Sequence, residues 1–301
     1  KGPQALFYGK NSPGGVISIR TGDPTKEFEG RASVGYEVNA HEWRGEGYIA
    51  GPITDDLGFR VAAYGSKMRG WVENTSPRTE ITAPKHRYTQ RNEEFAVRGT
   101  LKYEPTDSFD ARLKLSYGEL HDGGYTSNLQ VVACPTGAPQ SGQIDSCRAD
   151  DKVSVGAIRS NFALRYPPFA EGNGELKGDL KQTLVSLEMN YRPSDELTLT
   201  SVTGLYDMKE NTFVNARATY VPSLVQAAHN VLSFTELSQE LRLTSDFDGP
   251  VNFMIGGHFQ TSKAKQLLRA FLNGTAFTTV APLIPTPLGN LDFEQTARSY
   301  S

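Results

Sequence analysis

The sequence predicts an all-β protein: an antiparallel meander of about nine to ten strands, part of a transmembrane β-barrel larger than the chain itself. Three observations carry that expectation. Apolar and polar residues alternate along many segments, the connections between these segments are short and long in turn, and the segments are long enough to cross a bilayer at a tilt.

The alternation begins near the front, where Ala32, Val34, Tyr36 and Val38 oppose Arg31, Ser33, Glu37 and Asn39. It returns with Phe95, Val97, Leu101 and Tyr103 against Arg98, Thr100 and Lys102. The clearest run is Phe109, Ala111, Leu113, Leu115 and Tyr117, interleaved with Asp110, Arg112, Lys114 and Ser116. Val185, Leu187, Met189 and Tyr191 then alternate with Ser186, Glu188 and Asn190. Leu237, Leu241 and Leu243 alternate with Ser238, Glu240 and Arg242, and Val251, Phe253, Ile255 and Phe259 with Asn252, His258 and Gln260. Side chains of a strand point to opposite faces in turn, so each run has one apolar face and one wet face. In a barrel the wet face is the lumen, which places Arg98, Arg112, Lys114, Glu188, Glu240 and Arg242 there. The pattern is imperfect between Leu197 and Tyr206, and Gln239 interrupts an apolar face. A short helical turn near Ser223 to Ala228 is the one competing signal.

One set of connections is short: Pro52 to Asp56, Glu104 to Ser108, Arg192 to Glu196 and Ser245 to Pro250. Pro and Asp suit type I turns, because proline fixes φ and aspartate accepts nearby backbone N–H groups. The other set runs roughly from Gly70 to Arg91, His121 to Lys181, Asn211 to Thr235 and Leu272 to Gln295. Short turns at one end and long loops at the other are the asymmetry of outer-membrane barrels; a soluble sandwich mixes its turn lengths. The last strand is expected to start near Thr296 and the chain to stop within it.

Bulk composition removes other classes. The 301 residues carry 31 Lys and Arg against 34 Asp and Glu, a net charge of −3, so no basic surface for nucleic acid is expected. Hydrophobic residues make up 38%, and no stretch approaches the ~20 apolar residues of a membrane helix. The sequence opens on Lys1 rather than Met, so further chain is expected ahead of it. Cys134 and Cys147 sit in a polar Gly-, Pro- and Ser-rich stretch. They read as a loop disulfide closing roughly 14 residues and worth about 3 kcal/mol; two free thiols are the alternative. No neighbouring Cys or His pair supports zinc, and no cofactor is expected.

Residues 1–22 read Lys-Gly-Pro-Gln-Ala-Leu-Phe-Tyr-Gly-Lys-Asn-Ser-Pro-Gly-Gly-Val-Ile-Ser-Ile-Arg-Thr-Gly. The segment resembles the end of the plug domain of TonB-dependent outer-membrane receptors, of the iron–siderophore type, with Gly2, Pro3, Gln4, Gly9, Asn11, Gly14 and Gly15 carrying the likeness. Lys1 stands where many relatives have Arg. The strands Arg98 to Asp107 and Phe234 to Ser245, the latter containing Ser-Gln-Glu-Leu-Arg-Leu, are similar to the family's barrel strands. The resemblance implies the end of a plug over residues 1–24 and the first part of a barrel over 28–301. It also implies uptake of a scarce nutrient such as a ferric siderophore, with TonB as partner through a segment outside this sequence and outer-membrane lipid around the wall.

No catalytic constellation stands out. The histidines His41, His86, His121, His229 and His258 are scattered, four of them at or near the expected extracellular end. His86, Arg87, Tyr88, Tyr125, Arg148 and Tyr220 are the candidate ligand contacts on the long loops. A passive channel and a soluble β-rich binding or adhesion protein are the competing functions; an outer-membrane hydrolase ranks last.

Overall fold

A computed structural model describes residues 20–78, 83–123, 130–139, 145–158, 174–216, 219–221, 226–272 and 286–300. The plug-like motif residues and Tyr125 lie outside them. The strands are β1 (Glu29–Glu37), β2 (Glu42–Thr54), β3 (Leu57–Met68), β4 (Val72–Asn74), β5 (Tyr88–Thr89), β6 (Arg91–Thr106), β7 (Phe109–Gly123), β8 (Lys152–Val153), β9 (Lys177–Ser194), β10 (Leu197–Asn215), β11 (Gln226–Ser245), β12 (Met254–Leu272) and β13 (Thr286–Tyr300). The ten long strands form one antiparallel sheet in the order β1-β2-β3-β6-β7-β9-β10-β11-β12-β13, open at both sides. A separate small sheet, β5-β4-β8, is made by the loops. Among the described residues there is no helix, and none long and apolar enough to cross a membrane.

The turns at one end are as tight as the Asp-rich signals require: Asp55-Asp56, Asp107-Ser108 and Asp195-Glu196 each join two long strands. The fourth is wider. Asn252 Oδ1 accepts from Phe247 N (2.6 Å) and Ser245 Oγ (3.0 Å), so Val251 to Phe253 belong to this turn and β12 starts only at Met254.

The other expectations about length are corrected upward. β10 runs on to Asn215 and β11 starts at Gln226, so most of the loop expected over Asn211 to Thr235 is strand, as is the Gln226–Ala228 part of the expected helical turn. The last strand begins at Thr286, ten residues before the expected Thr296. Thr286 to Gly289 read as loop because of their turn-forming composition, yet they pair with β12 through a register shift at Ala270/Phe271 that brings Pro287 opposite Phe271. A bulge is one of the few places where a proline fits a sheet.

The registers put most side chains on a polar or an apolar face, with the exposed Leu184, Leu291 and Phe293 as exceptions on the polar one. Large apolar residues with high exposure fall on one face: Val34, Trp43, Ile49, Val61, Phe95, Leu101, Leu113, Leu115, Tyr191, Leu205, Leu237, Leu241 and Ile255. Such a continuous exposed apolar face needs a covering, and in an outer-membrane barrel that covering is lipid. The polar interruption in it closes on itself. Gln239 Oε1 accepts from Thr203 Oγ1 (2.6 Å) while its Nε2 donates to Ser201 Oγ (3.0 Å) and Glu240 O (2.9 Å), which leaves no amide proton facing the apolar side.

The upper limit of the apolar band steps down across the sheet. It ends on Trp43 in β2, Phe95 in β6, Tyr117 in β7, Val185, Leu205 and Leu237 in β9 to β11, and Phe259 in β12. Following the registers from Trp43 through Lys67, Glu93, His121, Asp179, Asn211 and Val231 leads to Leu267, eight residues beyond Phe259. Eight residues at ~3.3 Å, over seven strand spacings of ~4.8 Å, make an angle of about 38°. That lies within the tilt of membrane barrels. At this tilt the run from Phe109 to Tyr117 is about 21 Å high, and aromatic rings at its two ends extend it toward the ~25 Å apolar band such barrels present to lipid.

Candidate ligand-facing mouth and inner wall

On the polar face, the segment preceding β1 lies against the wall. Asp23 is held by Arg112 Nη1 (3.0 Å) and Lys114 Nζ (3.3 Å), and Lys114 Nζ also donates to Thr21 Oγ1 (2.9 Å). Arg112 uses its other terminal nitrogen on Glu188 Oε1 (3.1 Å), and Arg98 Nε donates to Ser116 Oγ (2.8 Å). A planar guanidinium serves two carboxylates at once because its donors point in fixed, divergent directions. These groups, with Arg20, line a concavity of about 630 Å³. Glu240 and Arg242 share this face farther round and pair with each other at 3.2 Å. The six charged residues expected on the wet face therefore stand on one side of the sheet, four of them grouped around or beside residues 20–23.

At the long-loop end, the chain leaves β3 at Gly70, whose φ of +94° turns it so sharply that a Cβ there would stand 1.8 Å from Thr89 O. The loop then forms β4 and β5, while β8 arrives from the loop between β7 and β9 and pairs parallel with β4. Asn74 fastens the two. Its Nδ2 donates to Val155 O (2.8 Å), and its Oδ1 accepts from Ser76 N (3.1 Å) and Val155 N (3.3 Å), all buried. The loop between β10 and β11 joins through Asn215, whose Nδ2 donates to Thr219 O (2.7 Å) and Gly156 O (3.2 Å), and through Gly156 N to Thr219 O (3.2 Å). Three loops from different hairpins are thus one hydrogen-bonded body.

A charge hub lies beside it. Glu175, just ahead of β9, takes Arg91, His86 Nε2 (3.0 Å) and Lys85 Nζ (3.5 Å). Burial lowers the His86 pKa below the ordinary histidine value; the nearby Arg91 charge adds to this, and Glu175 only partly opposes it. The imidazole is accordingly neutral at pH 7 and its hydrogen bond to Glu175 is N–H to carboxylate. Arg87 turns the other way, pairing with Glu73 at 2.9 Å, and its guanidinium lies 5.5 Å from the Tyr88 ring centre. Arg69 lies 5.0 Å from the same ring, so two guanidinium groups stand within cation–π distance of Tyr88.

Of the candidate ligand contacts, His86, Arg87 and Tyr88 stand together on this body. Arg148 is exposed beside the disulfide, and Tyr220 follows Thr219 on the third loop. Cys134 and Cys147 are bonded, with their Cα atoms 5.6 Å apart. Lys85, Arg69, Glu73 and Glu175 were not singled out by sequence. Each is an ordinary surface charge in its local context, and only the fold brings Glu175 to a loop some 90 residues earlier.

No protein-family model matches the chain. Solved structures do. The ferric yersiniabactin uptake receptor FyuA from Yersinia pestis superposes with a TM-score of 0.57 at 14% identity, over 99% of this chain and 48% of its own. BauA, the ferric preacinetobactin receptor from Acinetobacter baumannii, gives 0.64 at 14% identity, over 100% of this chain and 42% of its own. The ferric-catecholate import receptor Fiu from Escherichia coli K12 gives 0.59 at 12% identity, over 100% and 51%. The chain spans about half the length of these receptors or less. At such identities the likeness is one of fold: this chain shares the architecture of part of these uptake and import receptors.

Proposed function

We propose that this chain is part of an outer-membrane receptor that takes up a scarce nutrient, a ferric siderophore or similar iron complex, by energy-coupled transport through TonB. The observation that carries the reading is the two-sided wall. An apolar band edged by aromatic rings faces lipid, while the opposite, polar face holds residues 21–23 by ion pairs and hydrogen bonds. A passive pore has no need of a segment strapped to its inner wall; a barrel closed by a plug does. In this reading residues 1–24 complete the plug, residues 28–301 begin the barrel, and Arg98, Arg112, Lys114, Glu188, Glu240 and Arg242 line the lumen. His86, Arg87, Tyr88, Arg148 and Tyr220 would then be where ligand first meets the protein, and Tyr125, outside the described residues, is proposed with them.

The named functions of the similar receptors, uptake or import of ferric complexes, support the choice of cargo. The test is accumulation of radioactive iron supplied as ferric siderophores, by cells expressing the full-length protein with and without TonB. Uptake that disappears without TonB is the expected result. Uptake that persists without it would assign a passive channel instead, and a full-length protein recovered in the soluble fraction would sink both.

A further inference from the structure

The chain between Arg20 and β1 grips the lower edge of the wall from both sides. On the apolar face the Phe28 ring lies over Gly51, where a Cβ would stand 2.5 Å from Phe28 Cδ1, and meets the Phe59 ring edge-on with centroids 6.1 Å apart. On the polar face Pro24 fills the gap left by Gly58, whose Cβ would lie 2.8 Å from Pro24 Cβ. Gly51 pairs with Phe59 and Pro52 with Gly58, so the two glycines sit at one level of the β2–β3 hairpin. Farther along, Gly22 rests on the Arg60 guanidinium of β3, where a Cβ would come within 2.9 Å of it, and Asp23 reaches Arg112 and Lys114 of β7. The charges there form a closed set: Arg112 and Lys114 against Asp23 and Glu188, all partly shielded from water. Without Asp23 two cations would be left on one carboxylate, and a shielded charge without a partner is costly.

We propose that residues 20–28 are a strain relief for β1, staying on the wall throughout uptake and passing tension from the chain ahead of them into β3 and β7. The inference rests on the uptake reading, which supplies the pull. Among the described strands β1 pairs with β2 alone, at one end of the sheet order. A pull applied directly to its first residue would open that ladder one bond after another, each bond bearing the whole load in turn. The strap changes where the load falls. Tension arriving at Arg20 first meets the Thr21 and Asp23 bonds to Lys114 and Arg112, which lie within three residues and share it. Behind them Pro24, its φ fixed by the ring, is seated against Gly58, and Phe28 holds the far side of the same hairpin. β1 is loaded only after all of these have let go.

The experiment pins the strap to the wall in the full-length receptor with Pro24→Cys and Gly58→Cys together. Their Cβ positions lie within about 1 Å of the ~3.8 Å separation a disulfide spans. Cells with TonB are given radioactive iron as ferric catecholates and ferric hydroxamates, and the wild type, with Cys134 and Cys147 alone, receives the same oxidant and reductant. The oxidised pair should take up iron as fast as the reduced pair. Uptake lost on oxidation and restored on reduction, in the pair and not in the wild type, would mean that the strap must leave the wall and would overturn the proposal. A pair that does not crosslink would overturn it too. A wild type that takes up iron from neither class would instead overturn the uptake reading, and a measurement without cargo then judges the strap. In purified full-length Thr25→Cys, maleimide labelling should run roughly tenfold faster once Asp23→Asn is added, about the effect of one charge-assisted contact. Equal rates would show that the ion pairs do not hold the strap, and the same comparison decides the matter should the cysteine pair fail to reach the membrane.

Discussion

Within the apolar band and above it, the same strands are held by different means. Below, each strand from β2 to β12 in the large sheet is fixed by two neighbours through the backbone ladder, and side chains matter mainly by face. Above, the connecting loops depend on individual side chains: Asn74 and Asn215 in the hydrogen-bonded body, Glu175 in the charge hub, Cys134 and Cys147 in the disulfide. The first arrangement tolerates many substitutions that respect the face; the second tolerates few at a handful of positions and many elsewhere. In the proposed uptake role this division is useful, since the wall can stay constant while the loop end is specialised.

The contrast can be broken most strongly in the band. Leu113→Arg, at its middle on the lipid face, should cost about 2–4 kcal/mol of folding stability in bilayers. Lys114→Ser, one residue away on the polar face, should leave the equilibrium unfolding curve nearly unchanged. Equal effects would mean that the apolar face does not meet lipid. Next comes the disulfide. Replacing Cys134 and Cys147 with Ser removes a closure over a separation of 13 residues, worth about 3 kcal/mol to that loop alone. Proteolysis within 130–150 should accelerate while the barrel's unfolding midpoint stays put. Asn74→Ala should cost about 1–3 kcal/mol locally, because Val155 N and Ser76 N lose their buried acceptor. Amide exchange should quicken across β4 and β8 together, and confinement of the change to one of them would show the loops to be independent.

The smallest effect is that of pH. His86 has its folded-state pKa below the unfolded value, so the folded hub binds fewer protons than the open one. Its contribution is therefore complete above about pH 6.5, the unfolded histidine value, and is lost as pH falls through the lower folded value. Amide exchange at residues 83–90 should rise on acidification in the native protein and flatten in His86→Gln.

These two regions also differ in how far the sequence discloses them. Runs such as Phe109 to Tyr117 and Leu237 to Leu243 announce strands because one-residue alternation is a property of the segment itself. The polar break at Ser201, Thr203 and Gln239 looked like an error in the pattern and is instead a closed set of hydrogen bonds across two strands. The early start of β13 was hidden for a similar reason: Pro287 and Gly289 signal a turn locally, and only the partner strand makes them a ladder. At the mouth, His86, Arg87 and Tyr88 were marked by position in a long loop, whereas Glu175 and Asn74 have no local signature at all. Their partners lie 84 and 81 residues away.

The bonding of Asn74 and Asn215 across hairpins has a consequence for how such a mouth changes over generations. A loop stitched to two others cannot be exchanged by itself, since a replacement that lacks Asn74 strands the backbone of Val155 in a different loop. Under the proposed uptake role, altered cargo preference should therefore arise through joint replacement of several loops, or through point changes at exposed positions between the stitches, such as Arg87 and Arg148. Grafting a single loop from one receptor onto another would transplant a piece without its counterparts.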